Sequence, residues 1–157
     1  NNLKKSLREG QKYIGNGNLI GLVSYSDGVN IDLPISKFNL TQRAYFVGAV
    51  DDLQAGGSTA TFEAIDVAMN MIKEQMAINP NIKPMIFVLS DGETNRGRSL
   101  NDIRQKVGEL GITINTIGYN ADIPALKEIS LIKEGVYIDA DTDDVVYVLG
   151  EMFDAKL

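Results

Sequence analysis

Hydrophobic positions follow two alternating spacings along the chain, and these spacings predict strands and helices in turn. Short apolar runs bounded by turn residues predict strands at residues 19–25, 29–35, 85–89, 112–119 and 136–138. Apolar residues three or four positions apart predict helices at residues 3–14, 41–53, 62–76, 100–110, 122–131 and 141–157. Strands separated by helices of this length predict an α/β fold with a doubly wound (Rossmann-like), mainly parallel sheet, one antiparallel edge strand and helices on both faces.

Individual residues mark where several of these elements end. Ser99, with Asp102 three positions later, is typical of a capping box at a helix start. Gly111 predicts the end of that helix, since glycine accepts the left-handed conformation of a C-terminal cap. Pro34 lies inside the predicted strand 29–35 and favours an edge position, because proline cannot donate a ladder hydrogen bond.

The composition narrows the possible chemistry. The chain has 157 residues, enough for one domain with its own core, and 21 acidic against 15 basic side chains give a net charge of −6. It contains no cysteine and no histidine, which excludes thiolate metal sites, disulfides and nucleophiles activated by an imidazole. A bound metal would need oxygen ligands, as Mg²⁺, Mn²⁺ and Ca²⁺ prefer. The acidic balance disfavours nucleic acid as a partner, and no apolar run is long enough to cross a bilayer.

Two loops carry polar residues suited to an ion. The loop 56–59, Gly-Gly-Ser-Thr, leads into a helix with Glu63 and Asp66 in its first turns. The loop 90–94 begins with Ser90-Asp91-Gly92, directly after a predicted buried strand, where a carboxylate can reach a cation. The hydroxyls of the first loop are also typical helix caps, and Asp-Gly is also a common turn. We interpret both as loops at the carboxyl ends of neighbouring strands, and we therefore expect them to lie at the same edge of the sheet.

Four segments resemble von Willebrand factor type A domains in order and spacing. They are LVSYSD at 22–27, GGSTA at 56–60, VLSDGE at 88–93 and INTIGY at 114–119. The resemblance extends from the first helix to the last, so it covers essentially the whole chain, and four segments in register are far more specific than any one.

The resemblance implies a metal-ion-dependent adhesion site at the top of the sheet. In that family, Mg²⁺ or Mn²⁺ is held by an Asp-x-Ser-x-Ser loop after the first strand, a threonine in the second loop and an aspartate in the third. Thr59 and Asp91 match the threonine and the aspartate. The positions expected around the ion or in contact with a partner are Gly57, Ser58, Glu93 and Arg96.

The sequence departs from the family pattern at its start. It has no Asp-x-Ser-x-Ser motif and no strand before the first helix, and the nearest match, residues 24–27, has another place and order. We therefore expect residues 1–157 to form one type A-like domain that lacks its first strand, and we expect the parent protein to supply that strand. The alternative is a degenerate domain that has lost the metal site. Thr59 and Asp91 offer two oxygen ligands where Mg²⁺ takes six, so we expect weak binding of Mg²⁺, Mn²⁺ or Ca²⁺ by this chain.

The leading functional hypothesis is a non-enzymatic binding module. A partner protein would contribute an Asp or Glu to the metal beside Thr59 and Asp91. Arg96 and Arg98 could meet an acidic partner, although a solvated loop is the favoured interpretation of these residues. The family resemblance allows the last helix, 141–157, to shift on binding. An extracytoplasmic or membrane-anchored parent is favoured. One alternative is a scaffold subunit that binds without metal. The other is a metal-assisted hydrolase using Asp91 and Glu93, which lacks support because there is no P-loop and no Gly-x-Ser-x-Gly motif.

Residues 91–102 also match an EF-hand loop in part. Asp91, Glu93 and Asn95 occupy positions 1, 3 and 5, and Asp102 occupies position 12. Position 6, which needs glycine for the sharp turn, is Arg96, and a strand precedes the loop instead of a helix. Calcium binding of this type is therefore disfavoured.

Overall fold

The computed structural model describes residues 2–54, 59–91, 97–119, 124–140 and 144–156. Its strands are β1 (Leu19–Tyr25), β2 (Val29–Lys37), β3 (Met85–Ser90), β4 (Thr113–Gly118) and β5 (Tyr137–Asp139). Its helices are α1 (Asn2–Gly10), α2 (Leu40–Asp51), α3 (Thr61–Ile78), α4 (Leu100–Leu110), α5 (Pro124–Ser130) and α6 (Val145–Lys156). The predicted α/β fold is confirmed, with strands and helices in the predicted order.

Two helix ends follow the local signals in the sequence. At the start of α4, Ser99 Oγ accepts a hydrogen bond from the backbone N–H of Asp102, and Asp102 Oδ2 accepts one from the N–H of Ser99 at 2.7 Å. The backbone bond from Ser99 lowers the pKa of the Asp102 carboxyl. At the end of α4, Gly111 adopts a left-handed conformation with φ of 64°. The capping box and the glycine stop are both confirmed.

The first helix is shorter than predicted. The pattern predicted one helix over 3–14, whereas α1 ends at Gly10 and a 3-10 turn, Gln11–Tyr13, follows it. Helix α6 packs closely here, because a Cβ atom at Gly10 would lie 3.1 Å from a methyl carbon of Leu149. After the turn, Ile14 takes an extended conformation and leads towards β1.

The strands form two separate groups. β1 and β2 pair antiparallel, from Tyr25 opposite Val29 to Leu19 opposite Lys37. β3, β4 and β5 form a parallel sheet in that order. Pro34 is exposed in β2, which pairs with β1 on one side and lies at an edge, as predicted.

Helices cover both faces of the strands, and three clusters of buried side chains fill the interior. The largest joins α3, α4 and α5 to β3 and β4, and it contains Phe62, Ile65, Met69, Val88, Ile103, Val107, Ile114 and Leu126. On the other face, α1 and α6 pack beside each other against Ile117, Tyr119 and Ile138. The third cluster joins the β1–β2 hairpin to α2 through Leu33, Phe38, Phe46 and Val50.

One arginine joins α2 to the segment between α1 and β1. The guanidinium of Arg43 donates to the carbonyl of Ile14 at 2.7 Å and to Oδ1 of Asn16 at 3.0 Å. It also donates to the carbonyl and side-chain oxygen of Gln11, and it lies 4.4 Å above the ring of Phe38. These contacts fix the path of the chain into β1.

Candidate functional site

Thr59 lies beside the carboxyl end of β1. The next residue, Ala60, donates its backbone N–H to the carbonyl of Ser26 at 2.9 Å, and Ser26 directly follows β1. Ala60 is also the N-cap residue of α3. The sequence allowed the hydroxyl of Thr59 as a helix cap, but Thr59 lies one position before the N-cap. Thr59 itself is half-buried.

Asp91 lies at the carboxyl end of β3 and is exposed. The residue before it, Ser90, is buried, and its carbonyl accepts a hydrogen bond from the N–H of Tyr119 at 2.9 Å, at the end of β4. The start of the Asp91 loop is therefore held by the ends of two parallel strands, with its carboxylate on the rim.

Tyr25, which no sequence motif marks as a site residue, connects the two loops. It is the last residue of β1, and its hydroxyl donates to the carbonyl of Leu89 in β3 at 3.1 Å. Burial raises the pKa of Tyr25, a hydrogen bond with the side chain of Ser90 lowers it, and the negative charge of Asp91 raises it further. Tyr25 thus joins the end of β1 to β3 and senses the charge of Asp91. The sequence interpretation placed both loops at one edge, but it did not identify the tyrosine that joins the two sides.

A cluster of charges holds the far end of the Asp91 loop against α3. Glu63 Oε2 accepts from the backbone N–H of Arg98 at 3.3 Å and lies 3.6 Å from its Nε. Asp66 pairs with Nε of Arg98 at 3.4 Å and with Nζ of Lys106 at 2.7 Å. Gly97, with φ of 77°, lets the chain pass Glu63, since a Cβ there would lie 3.1 Å from the Cβ of Glu63. Arg98, which the sequence offered to an acidic partner, pairs instead with carboxylates of its own chain.

The remaining predicted site residues, Gly57, Ser58, Glu93 and Arg96, lie outside the described residues. Within the described residues, no three His, Cys, Asp or Glu side chains form a group that could hold a metal ion. The donors at the rim, a hydroxyl and a carboxylate, are of the type that Mg²⁺ and Mn²⁺ prefer, but they are two where such an ion takes six.

The family follows from a comparison with known domains. The model of the von Willebrand factor type A domain matches residues 4–153. The chain belongs to this family. Type A domains are protein-interaction modules, and in part of the family they bind a divalent cation.

Relatives of this type A domain come from distant sources. The collagen alpha-5(VI) chain of Homo sapiens is 30% identical over 100 residues, which are 62% of this chain and 4% of the collagen chain. The structure of von Willebrand factor type A from Catenulispora acidiphila has a TM-score of 0.81 and 19% identity. The match covers 96% of this chain and 36% of the Catenulispora chain. Proximal thread matrix protein 1 of the mussel byssus, described with a zinc-occupied MIDAS motif, has a TM-score of 0.73 and 14% identity. The match covers 96% of this chain and 39% of the mussel chain. At these identities the two structures show the fold.

Proposed function

We propose that this type A domain recognises a protein partner through a divalent cation, Mg²⁺ or Mn²⁺, for which Thr59 and Asp91 are two of the ligands. The observation that carries the proposal is the common rim: Ala60 is bonded to Ser26, and Tyr25 is bonded to Leu89 beside Asp91. These contacts bring the loops of both predicted ligands to one end of the sheet. The zinc-occupied MIDAS motif named for the mussel protein supports metal binding by a domain of this fold.

The cation would link the domain to a carboxylate of its partner. With few oxygen ligands from this chain, the ion keeps open coordination positions, and an Asp or Glu of the partner is a suitable anionic ligand for one of them. Thr59 would contribute a neutral hydroxyl and Asp91 one negative charge, so an ion held by these two retains a net positive charge that attracts the partner's carboxylate.

A Mn²⁺ titration followed by paramagnetic broadening of backbone amide signals tests this site. We expect weak binding, with a dissociation constant of about 10⁻³ M or higher, because two protein ligands replace few of the waters of the ion. Broadening should centre on the amides of Thr59 and Asp91, and T59A and D91N should each reduce it. E74Q, which alters an exposed carboxylate in the second half of α3, is the matched control. Tight binding would contradict the two-ligand proposal, and broadening centred elsewhere would contradict the site.

A metal-independent scaffold is the second candidate. It is favoured by the finding that the described residues contain no group of three acidic or histidine side chains arranged for a metal. In that case, partner binding would persist in EDTA and in T59A. The cation-dependent proposal requires both treatments to weaken it.

We propose further that the domain acts by binding and not by catalysis. Phosphatase turnover by the purified chain that disappears in D91A would contradict this.

An extracytoplasmic or membrane-anchored parent is proposed because a collagen chain is among the relatives. No helix within the described ranges is long and apolar enough to cross a membrane. The net charge of −6 disfavours nucleic acid as the partner.

A further inference from the structure

The outward face of α2 exposes no charged side chain between residues 40 and 48. The exposed residues in this range are Leu40, Thr41, Ala44, Tyr45 and Gly48. Leu40 is 79% exposed and Tyr45 is 57% exposed, although both side chains are large and mainly apolar. Within the described residues, each of the other five helices exposes at least one charged side chain. Surface helices normally carry polar residues opposite their buried stripe, so an uncharged outer face indicates a helix that is covered on both sides.

The charged residue inside this range, Arg43, is turned towards its own chain. Its guanidinium donates to Gln11 and lies 4.4 Å above the ring of Phe38. On the inner face of the helix, Phe46 and Val50 are buried in the cluster below the β1–β2 hairpin. Helix α2 therefore has apolar residues towards the core and no free charge towards the outside.

The middle of the outward face has space for a second helix. Ala44 and Gly48 lie one turn apart on it, and a Cβ added at Gly48 would meet nothing within 4 Å. Residues of this size allow two helix axes to approach closely, because the distance between packed helices depends on the side chains at the contact. Leu40 and Tyr45, on the same face, would leave water when such a helix packs there.

Two charged residues at the ends of α2 lie where the helix itself disfavours them. Lys37 is two positions before the N-cap residue Asn39, and Asp52 is the C-cap residue. Because a helix is positive at its N-terminus and negative at its C-terminus, each charge is close to the pole of its own sign. Asp51 pairs with Arg8, whereas the described residues include no ion pair of Lys37 or Asp52.

A second copy of α2 that lies antiparallel to the first would neutralise both charges. With Ala44 of one copy opposite Gly48 of the second copy, Asp52 of the second copy lies opposite Leu40, because both helices rise equally per residue. Lys37 is three residues before Leu40, and its long side chain can extend to that carboxylate. Twofold symmetry repeats the pair at the other end, and the antiparallel helix dipoles also attract each other.

Helix α2 runs towards the rim that carries the candidate metal site. Phe38, two residues before α2, donates its backbone N–H to the carbonyl of Asn18, directly before β1. Nine residues after Asp51, which ends α2, Ala60 is bonded to Ser26, directly after β1. α2 therefore runs in the same direction as β1, so an antiparallel pair of α2 helices directs the two rims to opposite ends of the dimer.

We propose that the outward face of α2, residues 40–48, binds a second copy of this chain. The two helices pair antiparallel across Ala44 and Gly48, and Lys37 and Asp52 form an ion pair at each end. The dimer is weak, since one helix face covers less than the roughly 800 Å² per partner of a standard interface. It presents two rims that face opposite ways, so one dimer can hold two partner molecules. The pairing itself requires no metal.

Sedimentation equilibrium of the purified chain tests the dimer. The measurement is made in EDTA and low salt, at concentrations from about 10⁻⁵ to 10⁻³ M, and we expect a dissociation constant of about 10⁻⁴ M. A44E, which places a charge in the centre of the face, should raise it at least about tenfold. N101E, at an exposed position of α4, is the matched control and should leave it unchanged. A monomer at every concentration, or equal effects of both variants, would overturn the proposal.

A charge exchange tests the antiparallel arrangement. K37E and D52K should each raise the dissociation constant about tenfold, because each turns two attractive pairs into repulsive ones. The double variant K37E/D52K restores opposite charges at both ends and should dimerise about as well as the wild type. Both positions are exposed, so circular dichroism should show the same fold in all three variants. Dimerisation of the double variant that is weaker than that of either single variant would contradict the pairing.

Introduced cysteines test which residues meet. The chain contains no cysteine, so A44C and G48C each carry a single thiol. Under mild oxidation of an equimolar mixture, the disulfide between A44C and G48C should form faster than the disulfide of either variant with itself. N101C, mixed with either variant, should cross-link slowly. Fastest cross-linking of A44C with itself, or equal rates for every combination, would overturn the proposed pairing.

Discussion

The hydroxyl of Tyr25 donates to the backbone carbonyl of Leu89 at 3.1 Å, across two sheets that share no backbone ladder within the described residues. This bond connects the end of β1 with the strand that leads to Asp91. It also gives the β1–β2 hairpin a polar contact with the rest of the domain, in addition to the apolar contacts through α3.

Y25F is expected to lower the free energy of unfolding by about 0.5–1.5 kcal/mol. The substitution removes one hydrogen bond and leaves the Leu89 carbonyl without its partner. Urea unfolding of the wild type and the variant measures the difference. Y45F is the control, because it removes the hydroxyl of an exposed tyrosine in α2, and it should change the unfolding midpoint little. An equal effect of both variants would count against the bridging role of Tyr25.

Stability is expected to fall as the pH rises above about 10, in part because of Tyr119. Burial raises the pKa of Tyr119 from 10.0 to about 12, and the nearby Ser6 side chain offsets part of this rise. The folded state therefore keeps this proton where the unfolded chain loses it, so the contribution is complete below pH 10 and is lost between pH 10 and 12. Urea unfolding from pH 8 to 11.5 should show a shallower decline in Y119F than in the wild type. A decline of the same slope in both would show that Tyr119 titrates normally.

The charge cluster beside the Asp91 loop should depend more on Asp66 than on Glu63. Asp66 pairs with both Lys106 and Arg98 and is 15% exposed, whereas Glu63 pairs with Arg98 and is 39% exposed. D66N is expected to cost about 1–2 kcal/mol, because it leaves two cations near a neutral group. E63Q is expected to cost less than about 1 kcal/mol. Denaturant unfolding at low and high salt measures both effects, and the reverse ranking would contradict this account.

Two glycines should respond to alanine in opposite directions. A Cβ at Gly135 would overlap the backbone carbonyl of Ile114 and approach the carbonyl of Ser130 to 2.8 Å, so G135A is expected to cost at least about 3 kcal/mol. A Cβ at Gly108, on the exposed side of α4, would meet nothing within 4 Å. G108A should therefore stabilise by about 0.5–1 kcal/mol, through the higher helix propensity of alanine. Thermal unfolding of the two variants tests the contrast.

Replacing Arg43 with lysine should loosen the entry to β1. One terminal nitrogen of the guanidinium donates to Gln11, and the other donates to the carbonyl of Ile14 and the side chain of Asn16. The single ammonium of lysine cannot reproduce both sets of bonds. We expect a loss of about 1–2 kcal/mol in the free energy of unfolding. R104K, at an exposed pair with Glu128, is the control and should have little effect. Equal losses for both variants would rule out a special role for Arg43.

Features that depend on neighbours in the chain were predictable from the sequence. The capping box of Ser99 and Asp102 and the glycine stop at Gly111 involve residues within one turn of a helix, and both are present. The fold class followed from the order of strands and helices. A common edge for the Thr59 and Asp91 loops was also expected from the sequence, and the coordination of a metal by these residues stays a prediction.

Features that depend on distant residues were not predictable in this way. The sequence offered Arg98 to an acidic partner, but Glu63 and Asp66 lie more than 30 positions earlier, and only the packing of α3 beside the loop brings them together. Tyr25 looked like one more residue of an apolar strand, because its bond spans 64 positions.

The exposed Pro34 on β2 has a consequence for how copies of the domain meet. β2 lies at an edge, where an uninterrupted strand can add to the edge of a second molecule and begin a continuous intermolecular sheet. Proline lacks the N–H that such growth requires, and the polar side chains of Asn30 and Asp32 occupy the same strand. The edge that β2 presents is thus protected against pairing with a strand of a second copy.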